Sequence, residues 1–251
     1  MDPMGGATPV IYFSTQAGAV GRQDTRERPT RHTMWHLTTE KIGCMALNPA
    51  EPHCFVTSSL DRTVRVWDVR GVAAPSGEGN SRTPIEIWRR DEKYSVTASY
   101  FHSGGHRMVS TCFDNYIRIF DFSGIVSERA AARRRRSARL SSSSSNGGKN
   151  GYDESVQPSV DSMVEIPHNN RSGHWVTLLQ AIWNSNPEYP PCFVAGNMDR
   201  SAEIFCGTTG AVVAKLKDHS VLPTIPAVNK FHPYLPVVVS ANAKGKVVVW
   251  S

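Results

Sequence analysis

Five cysteines in 251 residues are few, and Cys44, Cys54, Cys112, Cys192 and Cys206 lie too far apart to form a C-x-x-C pair. That spacing excludes the close thiolate pairs of a structural zinc site. The cysteines read instead as small buried hydrophobes of a reducing compartment. No run approaches 18 apolar residues, and positions 1–8 lack a positively charged region leading into an apolar stretch. Neither a membrane helix nor a secretion signal is therefore expected. Also missing are a glycine-rich phosphate loop, a nucleophile elbow and a histidine pair at helical spacing. An enzyme is not expected, nor a cofactor or metal. These absences leave an intracellular, soluble binding protein with no membrane partner.

What is present is enough apolar material, 39% of the chain, for a substantial core. The net charge of +6 would point to nucleic acid, but Arg129, Arg133, Arg134, Arg135, Arg136 and Arg139 lie within eleven residues and account for it. Ser141–Ser145 and a Gly/Asn stretch follow. Such a composition buries too little apolar surface to offset its ordering entropy, so 123–162 is expected to be a disordered Arg/Ser insertion. Its basic tract reads as a nuclear import signal, as a non-specific phosphate-binding arm, or as low-complexity sequence without a function.

Internal repetition decides the fold. SSLDRTVRVWDVR, TCFDNYIRIFDFS, GNMDRSAEIFCGT and ANAKGKVVVWS align, each a short apolar strand, a tight turn and a period-2 strand ending on Trp67, Phe120, Phe205 or Trp250. Those aromatics are 53, 85 and 45 residues apart. The one long interval contains the insertion, and removing it restores a period near 45. A further apolar segment precedes each pair (Ile42–Asn48, Val96–His102, Val176–Asn184, Ala227–His232), and short strands follow the first three at Ile85–Trp88, Val164–Ile166 and Ala211–Leu216. Four strands per unit, with Trp67-Asp68 supplying the WD dipeptide and Gly173-His174 the matching Gly-His, specify a WD-repeat β-propeller. Val10–Thr15, Gly18–Asp24 and Thr33–Leu37 form a first unit without its strand a, and the last unit stops after strand c. About 18 strands in sheets of three, four, four, four and three make four to five of an expected seven blades. The whole chain, 1–251, is thus expected to be an incomplete all-β propeller, the C-terminal portion of a longer protein or a truncated gene product.

In such a blade the d-to-a and b-to-c loops emerge on one face. That face carries Lys41, Arg62, Arg89, Arg90, Lys93, Arg171, Arg200 and Lys244, with His168, His174, Trp175 and His219 among them. Acids are interspersed, so the face reads as mixed with a slight basic excess. Asp61, Asp114 and Asp199 of the b-to-c turns read as turn-formers bonding the neighbouring backbone.

KIGCMALNP with VTSSLDRTVRVWDVR, PHNNRSGHWVT with AIW, and FHPYLPVVVSANAKGKVVVW are more particular than a generic WD repeat. Through them the chain resembles the WD-repeat DNA damage-binding proteins of the WD-repeat-containing protein 76 type. The upstream portion and the Arg/Ser insertion depart from that pattern. The resemblance implies a nuclear protein that binds DNA, with some preference for damaged DNA, and has chromatin proteins as further partners. It makes His174 and Trp175 wedge candidates at a lesion, with Arg171 on phosphate; Arg62 and Arg200, which follow two of the b-to-c turns, and Lys244 on the same face are the further DNA-binding candidates. The alternative for His174 and Trp175 is packing within and between blades; for the arginines it is solvation. Trp67-Asp68-Val69-Arg70 also resembles the box by which substrate receptors of cullin-RING ubiquitin ligases dock on their propeller adaptor. Trp67, Asp68 and Arg70 are the adaptor-binding candidates, and a protein-only scaffold is the alternative to DNA binding.

Overall fold

A computed structural model describes residues 9–73, 82–123, 162–172 and 178–251. Its described elements are 18 strands: β1 (Val10–Ser14), β2 (Ala19–Asp24), β3 (His32–His36), β4 (Ile42–Leu47), β5 (Cys54–Ser59), β6 (Thr63–Ala73), β7 (Arg82–Asp91), β8 (Val96–Phe101), β9 (Arg107–Cys112), β10 (Tyr116–Asp121), β11 (Ser162–Pro167), β12 (Ile182–Trp183), β13 (Cys192–Asn197), β14 (Ser201–Cys206), β15 (Val212–Leu216), β16 (Val228–Phe231), β17 (Val238–Ala241) and β18 (Val247–Trp250). They form antiparallel sheets in chain order: β1-β2-β3, then β4-β5-β6-β7, β8-β9-β10-β11, β12-β13-β14-β15 and finally β16-β17-β18. This is the incomplete WD-repeat propeller that the repeats predict, with the same grouping of strands.

The alternation of side chains explains why the sheets stack. Along β6, Val64 and Val66 turn to one side and pack with Val96, Met108 and Phe120 of the third sheet. Trp67, the next residue, goes to the other side and meets Val20, Trp35 and Phe55. Val109, Ile117 and Ile119 pack with Trp183, Phe193 and Phe205, and Val194 and Ala202 with Val238. Each core thus lies between successive sheets, so every blade is held by its neighbours. Each fully buried aromatic or aliphatic side chain contributes roughly 1.5–3 kcal/mol.

The aromatic that closes strand c is structural in each of these sheets. Trp67 is 6% exposed, stacks on its cross-strand partner Phe55 and donates its indole N–H to Thr57 Oγ1 at 2.9 Å. Phe205 stacks in the same way on Phe193, with centroids 5.1 Å apart. Trp250 donates to Ser240 Oγ at 3.0 Å, repeating the Trp67 bond one strand inward.

Three boundaries differ from those the sequence predicts. The β6–β7 pair extends past Trp67 and Ile85 to Val72↔Thr83 and Ala73↔Arg82, after a register shift beyond Asp68. Of the segment expected at 176–184, the described residues 178–184 pair as a strand at Ile182–Trp183 alone. Just before it, Leu179 C=O accepts from Thr97 Oγ1 and Ala181 N–H donates to Thr111 Oγ1, so side chains of the third sheet take up backbone groups a ladder would otherwise use. The 123–162 segment loses both ends: Ser123 N–H caps Asp121, and Ser162 opens β11. Residues 124–161, including the arginine tract, lie outside the described residues.

Candidate nucleic-acid interface

Backbone bonds join the two loop classes on one face. Leu60 N–H donates to Lys41 C=O at 3.0 Å, Glu92 N–H to Arg62 C=O at 2.8 Å, and His168 N–H to Asn115 C=O at 2.9 Å. Each links a b-to-c turn to a d-to-a loop, so the face is a continuous, cross-braced surface.

The b-to-c turns share one backbone requirement. Gly18, Arg62, Asn115, Arg200 and Gly245 occupy the left-handed region, at φ between 67° and 75°. Glycine and asparagine suit it, whereas an arginine there costs roughly 1–2 kcal/mol. Arg62 and Arg200 are exposed, and among the described residues neither guanidinium has an ion-pair partner.

The turn aspartates do what their spacing predicts. Asp61 accepts Thr63 N–H at 3.0 Å, Asp114 accepts Tyr116 N–H at 3.1 Å and Asp199 accepts Ser201 N–H at 3.1 Å. Each also binds a cation of its own sheet: Arg65 at 2.7 Å, Arg118, and Lys215 at 2.8 Å. In the second and third sheets that cation stands four residues after the aspartate. In the fourth the position is Glu203, and Lys215 arrives from the facing strand, where the two are register partners. Burial would raise the Asp199 pKa, but hydrogen bonds from Lys215, Ser201 and Lys217 outweigh it and hold the carboxyl well below its usual range.

Arg118 is the most enclosed of these cations, with 7% of its side chain exposed. It bonds Asp114, reaches Glu165 at 2.8 Å and Glu92 at 3.4 Å, and its guanidinium lies 5.3 Å from the Tyr116 ring centroid. Arg90 joins through Glu92 at 2.7 Å, and Arg89 is paired with Asp91 at 2.6 Å. The acids are thereby consumed by the fold's own arginines and lysine. Lys41, Arg62, Lys93, Arg171, Arg200 and Lys244 have no acidic partner among the described residues, against Glu40 and Asp218 without a cationic one. On the face that reads as mixed in sequence, cations without an acidic partner therefore outnumber acids without a cationic one among the described residues.

The loop after β11 alternates. His168, Asn170 and Ser172 are buried; Asn169 and Arg171 are exposed. Asn170 Nδ2 donates to Cys112 C=O at 3.1 Å and Tyr116 C=O at 2.9 Å, anchoring the loop to the third sheet. His168 Nδ1 lies 2.6 Å from Asn170 Oδ1, while Nε2 is 3.8 Å from Glu203. Burial lowers the His168 pKa despite these two partners, so the imidazole is a neutral internal brace rather than a ligand-facing cation. Beside the loop is a shallow concavity of about 630 Å³ lined by Asp114, Asn115, Tyr116, Pro167, His168, Asn169 and Asn197. His174 and Trp175 lie outside the described residues.

Arg171 faces a residue that sequence reasoning passed over. Its guanidinium is 6.0 Å from the ring centroid of Tyr94, an exposed tyrosine of the β7–β8 loop, and Lys93 Nζ is 5.6 Å from the same centroid. The Lys-Tyr dipeptide after a strand was the only signal available.

The adaptor candidates sit at the far end of β6. Trp67 is part of the core and offers no free ring face. Arg70 has 39% of its side chain exposed, and its guanidinium and backbone N–H both bind Asp68. Asp24 and Arg26 repeat this geometry in the first sheet. In the first sheet the pair spans the turn after β2, whereas in β6 it spans the register shift that follows Asp68.

The model of the WD domain, G-beta repeat, matches residues 28–68 and 84–121. Similar curated proteins carry the name DNA damage-binding protein CMR1. That of Chaetomium globosum is 33% identical over 242 residues, covering 96% of this chain and 41% of the relative. That of Neurospora crassa is 34% identical over 242 residues with the same coverage, and that of Phaeosphaeria nodorum 34% over 241. The chain spans about two fifths of the length of these relatives.

Proposed function

Because this is a WD-repeat chain related along nearly all of its length to proteins named for DNA damage binding, we propose that its loop face binds DNA in the nucleus, with a preference for damaged duplex. The observation that supports this reading most is the division of charge: turn acids are paired internally while Arg62, Arg171, Arg200 and Lys244 remain available for phosphates. Cations on a braced surface neutralise phosphates at little ordering cost and release counterions. His174 and Trp175, three and four positions after Arg171 in the sequence, are the proposed wedge. A lesion lowers the unstacking energy that such a wedge requires, which is a source of preference.

A salt titration tests the reading. Binding to duplex DNA should weaken linearly in log–log form as salt rises, and each phosphate-contacting residue removed should lower the slope by roughly 1. Arg62→Gly and Arg200→Gly are informative because glycine suits their backbone, so affinity should fall without loss of thermal stability. His174→Ala with Trp175→Ala should narrow the ratio of damaged to intact affinity. A chain with no measurable DNA affinity at low salt removes the proposal.

The second reading is a substrate receptor docking through Arg70, supported by the guanidinium's partial exposure at the end of β6. Arg70→Ala should then abolish co-purification of the adaptor; retained co-purification sinks that reading.

A further inference from the structure

We infer that Tyr94 is a stacking platform for an unpaired nucleobase. This rests on the DNA-binding reading above and specifies which DNA the face prefers. Three groups from neighbouring sheets meet there. Tyr94 is 39% exposed, Lys93 Nζ stands 5.6 Å from its ring centroid, and the Arg171 guanidinium reaches within 6.0 Å from the next d-to-a loop.

The ring stands on a fixed base. Tyr94 C=O accepts the Cys112 thiol at 3.3 Å, and the next residue is held by Phe113 N–H, which donates to Ser95 C=O at 3.2 Å. Upstream, Glu92 N–H is bonded to Arg62 C=O, so b-to-c turns of two sheets secure the loop on both sides. A platform fixed before binding loses little conformational freedom when a ligand arrives. The acids beside it are occupied: Asp91 pairs with Arg89, and Glu92 is buried between Arg90 and Arg118. Lys93 and Arg171 therefore face the ligand without a competing carboxylate from that loop.

Within an intact duplex every base face is covered by its neighbours, so an aromatic ring on a protein surface has nothing to stack against. A single strand, a gap or an extruded base exposes a π face, and any of the bases can use it. Lys93 and Arg171 are exposed and lie over the ring, so a stacking base takes the place of one of these side chains, which then turns to the phosphates beside the stacked nucleotide. An acidic peptide would satisfy the cations but leave the ring uncovered, which makes the nucleobase the better fit.

The test uses the full 251-residue chain with two DNA probes, a short single strand carrying 2-aminopurine and a blunt duplex of the same sequence. Stacking should quench the fluorescence of the single strand. Tyr94→Ala should weaken single-strand binding by roughly tenfold, as loss of one base–aromatic stack does, and leave duplex binding unchanged. Tyr94→Phe should retain the single-strand affinity and the quenching, because the ring and not the hydroxyl carries the contact. If Tyr94→Ala alters neither probe, or both equally, or if Tyr94→Phe behaves like Tyr94→Ala, the platform is overturned while DNA binding stands. If the unaltered chain binds neither probe, the DNA-binding reading and the platform fall together.

Discussion

His168 shows how one buried side chain ties the candidate face to pH. Its imidazole is enclosed between Asn170 and Glu203, and burial depresses its pKa below 6.5. The unfolded chain therefore binds a proton that the folded chain refuses, so stability rises with pH through this window and falls as pH drops below about 6.5. Melting temperatures measured between pH 7.5 and 5 should decline on acidification, and His168→Gln should flatten that decline. An unchanged slope in the variant would remove His168 as its source. Other residue-scale features were legible to different degrees. The turn aspartates were, because Asp recurs at the same place before strand c and has a local bonding habit. Arg62 and Arg200 were recognised as exposed cations, but not as residues in the left-handed region. Tyr94 was not legible, since its significance depends on Arg171, 77 positions away in sequence, arriving over its ring.

At the scale of strands and sheets, Arg118 is the joint of the third blade. It sits on β10 beneath the loop face, and Asp114, Glu165 and Glu92 converge on it from its own turn, from β11 and from the second sheet's outer strand end. Glu92 and Asp114 are themselves nearly enclosed, with 3% and 9% of their side chains exposed. Removing the cation leaves Asp114 without a cationic partner among the described residues and Glu92 with Arg90 alone, and breaking a buried pair in this way costs about 3–5 kcal/mol. Arg118→Ala should lower the urea midpoint accordingly, and a loss below about 1 kcal/mol, as at an exposed pair, would show that solvent already screens the cluster. The same joint in the fourth sheet is built differently, with Lys215 on β15 replacing a cation four residues after the aspartate. Sequence repetition alone shows Glu203 out of pattern; the strand register β14–β15 supplies the reason.

At the scale of the whole molecule, the last sheet carries several of the most exposed apolar side chains among the described residues. On β18, Val247 and Val249 are 65% and 62% exposed, and β18 pairs only with β17 within its sheet. An exposed apolar edge strand is a template for pairing with another chain. The 251-residue chain should therefore self-associate in a concentration-dependent way, and Val249→Lys should suppress it in light-scattering measurements. Equal scattering by both chains would place the contact elsewhere.

The sequence by itself determined the repeat, the grouping of 18 strands into five sheets and the identity of the aromatics that close strand c, because strand alternation and turn chemistry are local and recur. It also singled out most of the exposed cations. Only the tertiary structure decided which charges are free, that Trp67 belongs to the core, that His168 is an internal brace and that Lys93 and Arg171 both reach the Tyr94 ring. The physical reason is the same in each case. Burial and ion pairing depend on which loop of one blade meets which turn of the next, and that separation in space is not written in the spacing of residues along the chain.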